Sequence, residues 1–448
     1  MTVSPSDRIV IVGGGVFGIS TAYHLLKRGF TDVTVLERAS TVPAPDAASS
    51  DINKIVRSSY ADSFYTRLAR EAIAEWKKVE EWGDTYQECG CVMLSAGNVA
   101  SYTDDAYHND IASGARIETL ENVTAMRALF PPDVRFAADA GPDTIRHLNG
   151  YINRDGGWAK ATQGVAMMAE KVRGMGGKIL HGKGVASLVK EASRTVGVKC
   201  QDGEVIPAAL VVLAAGSWTA STFPELDLDT RCLATGQTVA TIQLTEEEAA
   251  RYRACPVILD FGSGFYMFPP NQQNIVKLAI HSTGFTRTVP TPVPDAPTGS
   301  QRNISTPRTI TSHGNDGLRI PRSSVKALRS FLRQVYPELG KKPFSGTRLC
   351  WYTDSPDSDW VIGPHPSDAG ILLATSGSGH AYKFLPVIGR LVADAVQGVM
   401  DPALVKRFAV DRDILKEDRT RLPSNERGFG GVQELTEDIL CTPEDLLP

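Results

Sequence analysis

RIVIVGGGVFGISTAYHLLKRGFTDVTVLER, residues 8–38, decides the fold of this chain. It opens on a short apolar, β-branched run, Ile9 to Val12, of the kind that forms a buried parallel strand. Gly13, Gly15 and Gly18 follow in the G-x-G-x-x-G spacing, and Ile19, Ala22, Leu25 and Leu26 then recur at helical intervals. A second apolar run, Val33 to Leu36, ends at Glu37, 19 residues beyond Gly18. Gly13 permits the tight turn, Gly15 lets backbone approach a pyrophosphate, and Gly18 lets helix lie close on strand. Val16 and Phe17 open a helix whose N-terminus offers unpaired N–H groups and the positive end of a dipole to phosphate. Glu37 can accept hydrogen bonds from a ribose diol and repels a 2′-phosphate. Strand, glycines, helix, strand and acid in this order predict a dinucleotide-binding unit. A glycine-rich turn alone would fit any α/β sheet, and the motif does not choose between FAD and NAD.

With 448 residues the chain is long enough for two domains. A net charge of -4 and 22% charged residues give no sign of a nucleic-acid surface. No apolar stretch approaches the roughly 20 residues of a membrane span. The N-terminal MTVSPSDR lacks a signal-peptide core, and the C-terminal Glu444–Pro448 lacks a Ser-Lys-Leu type tail, so a cytoplasmic protein is expected. Seven scattered cysteines fit a reducing compartment, and none has metal-site spacing.

After Glu37 and Arg38 comes a loop rich in Pro, Ala and Ser, then Ser49-Ser50-Asp51-Ile52-Asn53-Lys54-Ile55-Val56-Arg57-Ser58-Ser59-Tyr60. Its two cations could face a cofactor ring and a carboxylate substrate, although composition alone favours a solvated basic loop. Apolar spacing predicts helices over Thr66 to Trp82, Ile117 to Leu129, Lys160 to Gly174 and Val325 to Val335. Strands are expected at Gly90 to Ser95, Lys178 to Leu180 and Val185 to Val189. The run LVVLAAG ends at Gly216, with Trp218 just beyond, beside a second edge of the cofactor. Asn149 to Ala159 reads as a loop. Thr235 to Gln243, Val257 to Phe268 and Ile275 to His281 read as an antiparallel sheet. Residues 283–318, dense in Pro, Thr, Ser and Gly, read as one long loop. Ser376-Gly377-Ser378-Gly379-His380 then leads into a helix from Leu385 to Gln397.

The expected architecture is α/β: a discontinuous Rossmann-like nucleotide-binding domain (1–86, 150–222 and 346–448) and a second domain with a mostly antiparallel sheet (87–149 and 223–345). The stretches IVRSSYADSFY, ATGQTVATIQLTEEEAARY, DFGSGFYMFPP, KLAIHSTGFTR and TRLCWYTDSPD carry a resemblance to a family. The chain resembles the FAD-dependent amine oxidases grouped with monomeric sarcosine oxidase, fructosyl amino acid oxidases and fungal L-saccharopine/L-pipecolate oxidases. It is most similar to the saccharopine/pipecolate branch, and the likeness runs from the first strand to the last helix.

The resemblance implies the D-amino-acid-oxidase-like two-domain fold and FAD bound covalently, 8α-S-cysteinyl, at Cys350. It places Lys277 where the family keeps a lysine that helps O2 accept an electron. Lys383 falls at the position of a partner for the substrate carboxylate, and Lys54 and Arg57 at basic residues beside the flavin. His281 aligns with a histidine of sarcosine and pipecolate oxidases, where fructosyl amino acid oxidases usually have glutamate. The cofactor-binding set is then Gly13, Gly15, Val16, Phe17, Gly18, Glu37, Arg38, Ser49, Ser50, Lys54, Gly216, Trp218, Cys350, Gly377, Gly379, His380 and Lys383. Tyr60, Tyr266 and Tyr352 are candidate pocket walls. The implied activity is oxidation of a secondary-amine amino acid to an imine with H2O2 from O2, by a monomer without metal. Fructosyl amino acid or N-methyl amino acid oxidation is the alternative. A NAD-dependent dehydrogenase or a non-catalytic flavin binder would share the opening motif without needing Cys350 or Lys277.

Overall fold

The computed structural model describes residues 3–95, 100–135, 149–294, 297, 299–414 and 431–448. Ile9–Val12 forms the predicted strand, buried at every residue, and lies parallel between Val33–Glu37 and Leu210–Leu213. The six-stranded sheet runs Val361–His365, Asp368–Thr375, Leu210–Leu213, Ile9–Val12, Val33–Glu37, Lys178–His181, with only Val361–His365 antiparallel. Side chains alternate across a strand, so Ile9 and Ile11 face a helical layer while Val10 and Val12 face the other side. Helices Val16–Lys27, Ala161–Gly174 and Ile388–Gln397 form that first layer. The antiparallel trio Val185–Glu191, Arg194–Cys200 and Val205–Pro207 covers the other face. Burial on both faces explains why the central strands Ile9–Val12 and Leu210–Leu213 read as unbroken apolar runs.

The second sheet has ten strands. Leu233–Gln243 is flanked by Ile275–Ile280 and by Gly346–Asp354, both antiparallel. Beyond Ile275–Ile280 come Phe265–Met267, Val257–Asp260, Cys91–Ser95, Asn149–Asn153 and Ile117–Leu120. The expected boundary at 149/150 falls inside the strand Asn149–Asn153, and Gly346–Asp354, expected in the nucleotide-binding domain, is a strand of this sheet. Helix Arg322–Val335 packs its Val325, Leu328 and Leu332 on one face. The opposite face, carrying Cys350, Tyr352 and Ala279, looks toward the nucleotide-binding layers. No helix among the described residues is long and apolar enough to cross a membrane.

Four local expectations change. The helix expected from Thr66 to Trp82 is Ser63–Trp76, N-capped by Asp62, with a break before the short Val79–Trp82. Ile117–Leu120 is a strand, because pairing with Asn149–Asn153 recruits it, and only Val123–Arg127 is helical, started by the Asn122 cap. The expected loop at 149–159 is two strands, Asn149–Asn153 and Gly157–Ala159. Gly157 lets that backbone close on Gln87, where any Cβ would strike a carbonyl. Within 283–318 the described residues form a hairpin, Thr288–Pro292 with Gln301–Ser305, and a short helix Ile310–His313. Composition hid the hairpin because prolines sit where no ladder hydrogen bond is required of them.

Candidate active site

Close backbone approach builds the nucleotide end. Gly13 adopts φ +106°, and a Cβ there would collide with the Ala214 carbonyl. A Cβ on Gly18 would collide with the Gly13 carbonyl, so helix and strand touch backbone to backbone. Gly18→Ala is therefore expected to lower the thermal midpoint and to strip yellow colour from the purified protein. Overpacking against backbone costs about 1–3 kcal/mol or more. A variant with parental midpoint and colour would refute this packing.

Helix Val16–Lys27 has no side chain capping its N-terminus and no acid in its first turn, which leaves the first N–H groups to an external acceptor. They face a cleft of about 450 Å3 bordered by Gly13, Gly15, Val16 and Phe17. Glu37 borders the same cleft, its carboxylate held by the N–H groups of Gly14 (2.9 Å) and Ala39 (3.0 Å). Arg38 stacks its guanidinium 3.8 Å from the Trp218 ring centroid, closing one wall. Ser49, Gly216, Gly377 and Gly379 complete the lining. Gly18 supports the cleft from beneath, and Ser50 faces a different cavity. Orphaned helix N–H groups, a glycine cradle and a buried acid at ribose distance along the second strand fit the ADP end of FAD.

A buried ionic cluster lies further in. Lys277, 1% exposed, donates to Asp51 Oδ2 at 2.6 Å and to the Asn53 carbonyl at 2.7 Å. Lys54 Nζ stands 2.9 Å from the same Asp51 oxygen and 3.4 Å from Cys350 Sγ. Burial opposes the charge of Asp51, but Lys277, Lys54 and Arg348 more than offset it and hold the carboxyl well below the usual range. Burial brings Lys277 down to about 8 against the resistance of Asp51. Burial also opposes Lys54, yet Asp51 and then Cys350 raise it above an ordinary lysine. The side-chain amide of Asn53 is fully buried with no hydrogen-bond partner among the described residues.

The second, larger cavity, about 760 Å3, meets the cleft at Lys54, Tyr352, Gly379 and Tyr382. Arg57, Tyr60, Tyr266, His281, His380 and Lys383 all border it. Lys383 Nζ donates to the Tyr60 hydroxyl at 2.7 Å and to the His380 carbonyl at 2.9 Å. The Arg57 guanidinium lies 4.5 Å and the Lys383 ammonium 5.2 Å from the Tyr60 ring centroid. Both cations are buried, and neither forms an ion pair with a described residue. Burial first, and the Arg57 charge second, hold Lys383 well below the ordinary lysine value. His380 is set by Ser358, whose carbonyl lies 3.0 Å from Nε2, and stacks on Trp360.

The structure thus gathers Lys54, Lys277 and Cys350 at one place, and Arg57, His281, His380 and Lys383 around the adjoining cavity. Sequence reading gave no role to Asp51, which joins the two lysines, or to Asp110, which accepts from Ser58 and Ser59 at 2.6 Å each behind Arg57. The three-residue spacing from Asp51 to Lys54 was the available signal for the first. Nothing local marks the second. Among the described residues no group of three or more His, Cys, Asp or Glu is placed to hold a metal ion.

Residues 8–395 match the family model described as DAO, FAD dependent oxidoreductase. L-saccharopine oxidase of Schizosaccharomyces pombe is 31% identical over 408 residues, covering 88% of this chain and 90% of that protein. Human peroxisomal sarcosine oxidase is 23% identical, covering 86% of this chain and 90% of that one. Among solved structures, fructosyl peptide oxidase from E. terrenum superposes with a TM-score of 0.84 at 26% identity, covering 97% of each chain.

Proposed function

The chain belongs to the DAO family of FAD dependent oxidoreductases, and from that premise we propose that it oxidises a secondary-amine amino acid with O2. The observation that carries this reading is the pair of buried cations, Arg57 and Lys383, which have no ion-pair partner among the described residues and stand beside a cavity continuous with the nucleotide cleft. Two buried cations that repel each other are compensated when one carboxylate lies between them. Binding the carboxylate there fixes the amine and its adjacent C–H against one position in the cavity, which is the entropic part of catalysis. The substrate C–H gives up its hydrogen with two electrons and the N–H gives up a proton, leaving an imine, while O2 gains two electrons and two protons as H2O2. When bound, FAD supplies the two-electron relay between these halves.

The chain's own residues divide the work. Lys383, held by the Tyr60 hydroxyl, and Arg57 take the carboxylate; His281 and Tyr266 wall the amine side. Lys277 fixes a positive charge in a dry site, where charge developing on O2 is stabilised without solvent reorganisation. Cys350 is the residue we assign to covalent flavin, being buried and flanked by Lys54 and Arg348. A substrate of the L-saccharopine, L-pipecolate or sarcosine type is the main reading, and a fructosyl amino acid or another N-methyl amino acid is the second. A peroxide-coupled screen over sarcosine, pipecolate, saccharopine, fructosyl-valine and N-methyl aromatic amino acids tests this. Peroxide is expected from a secondary-amine substrate with a free carboxylate, and little from its methyl ester. Equal rates with acid and ester, or no peroxide from any of them, would refute the reading.

A further inference from the structure

A third cavity, about 480 Å3, shares no lining residue with the amine cavity. Its position follows from strand register. Thr241 pairs with Lys277 on one side and Gly346 on the other; Val239 pairs with Ala279 and Arg348. Paired residues of an antiparallel sheet project to the same face, so Thr241, Val239, Lys277, Arg348 and Cys350 share one. Val239, Thr241, Gly346 and Arg348 floor the third cavity, and Ser50 and Asp51 face them from the loop. Asp51, whose carboxylate is 2.6 Å from Lys277 Nζ, is the inner wall.

We propose that this third cavity is the entrance by which O2 reaches Lys277 and by which H2O2 leaves, separate from the amine entrance. The inference rests on the oxidase reading above. An amine or imine that fills the larger cavity blocks that way to the ionic cluster, whereas the third cavity ends one side chain from Lys277. O2 is small and uncharged, so thermal movement of the Asp51 wall suffices to admit it. The Ser50 hydroxyl is buried, borders the cavity and has no hydrogen-bond partner among the described residues. With Thr241 and Arg348 it gives departing H2O2 polar contacts along the way.

Thr241→Trp and Gly346→Val narrow this cavity from two adjacent strands; Thr241 is the cross-strand neighbour of Lys277, so Gly346→Val is the variant that reads the cavity alone. Each is tested in the purified, flavin-loaded enzyme by stopped flow in two halves. Anaerobic reduction by the amine is expected to stay within about twofold of the parent, and flavin reoxidation by O2 to slow about tenfold. If Thr241→Trp does not fold, Gly346→Val carries the measurement, anaerobic reduction reporting its integrity. Parental reoxidation in the folded variants would overturn the proposal, and so would equal slowing of both halves, which marks general distortion. Reduced parent enzyme that does not react with O2 at all would instead remove the oxidase reading, and this entrance with it.

Discussion

Lys277→Met is expected to slow reoxidation of the reduced flavin by O2 about 10²–10³-fold, the scale of losing one preorganised charge-stabilising group. Anaerobic reduction by the amine should change by less than about threefold, because Lys277 borders neither the amine cavity nor its carboxylate site. Methionine keeps the length and apolar bulk of the lysine stem. Asp51 also keeps Lys54 at 2.9 Å and the charge of Arg348, so it is not left as a lone buried anion. The titration adds a second signature. Burial lowers Lys277 to about 8, so the cation is present below that pH and lost above it. Reoxidation should then be fast and flat below pH 8 and fall as pH rises through 8. In Lys277→Met this inflection should vanish. Equal slowing of both half-reactions, or an unchanged pH profile, would take Lys277 out of the oxygen step.

Lys383→Met is expected to act on the opposite half. Truncating one member of a buried charged contact costs about 2–5 kcal/mol, or roughly 30- to several-thousand-fold in kcat/KM for a carboxylate substrate. Burial and the Arg57 charge hold Lys383 below the usual lysine value, and a carboxylate beside it raises it again, so substrate affinity is expected to depend on pH through this residue. The variant should therefore also lose pH dependence in KM. It should discriminate less between an amino acid and its methyl ester, since Arg57 alone remains to read the charge. Reoxidation by O2 should remain near parental. A loss confined to kcat, with ester and acid still distinguished as before, would contradict a carboxylate role.

The nucleotide-binding unit was legible in the sequence because everything that specifies it is local. Gly13, Gly18, Ile9–Val12 and Glu37 lie within one short stretch, and each side chain or its absence has a fixed geometric purpose. Lys277, Lys383 and Cys350 were legible only through resemblance, since their partners are remote. Lys277 meets Asp51 across 226 residues of chain, and Lys383 meets Tyr60 across 323. No periodicity reports such a meeting. Asp51 went unassigned for the same reason: an acid in a polar loop looks solvated until two lysines are folded onto it. The apolar spacing of Ile117–Leu120 predicts helix, and its partner strand, Asn149–Asn153, carries glycine and asparagines and looks like a loop by itself. Tertiary pairing overrode propensity there. The tail beyond Leu422 lies partly outside the described residues. Its described end pairs Gln433–Glu434 with Phe285–Thr286 and lays Leu446 against Arg329.

The most direct test is the mass of the tryptic peptide Leu349–Lys383, which contains Cys350, from denatured protein purified with its colour. A flavin stapled between the nucleotide cleft and the large sheet predicts that this peptide is yellow and heavier by one FAD. A colourless peptide weighing only what its amino acids weigh, with the flavin released to the supernatant, would contradict it.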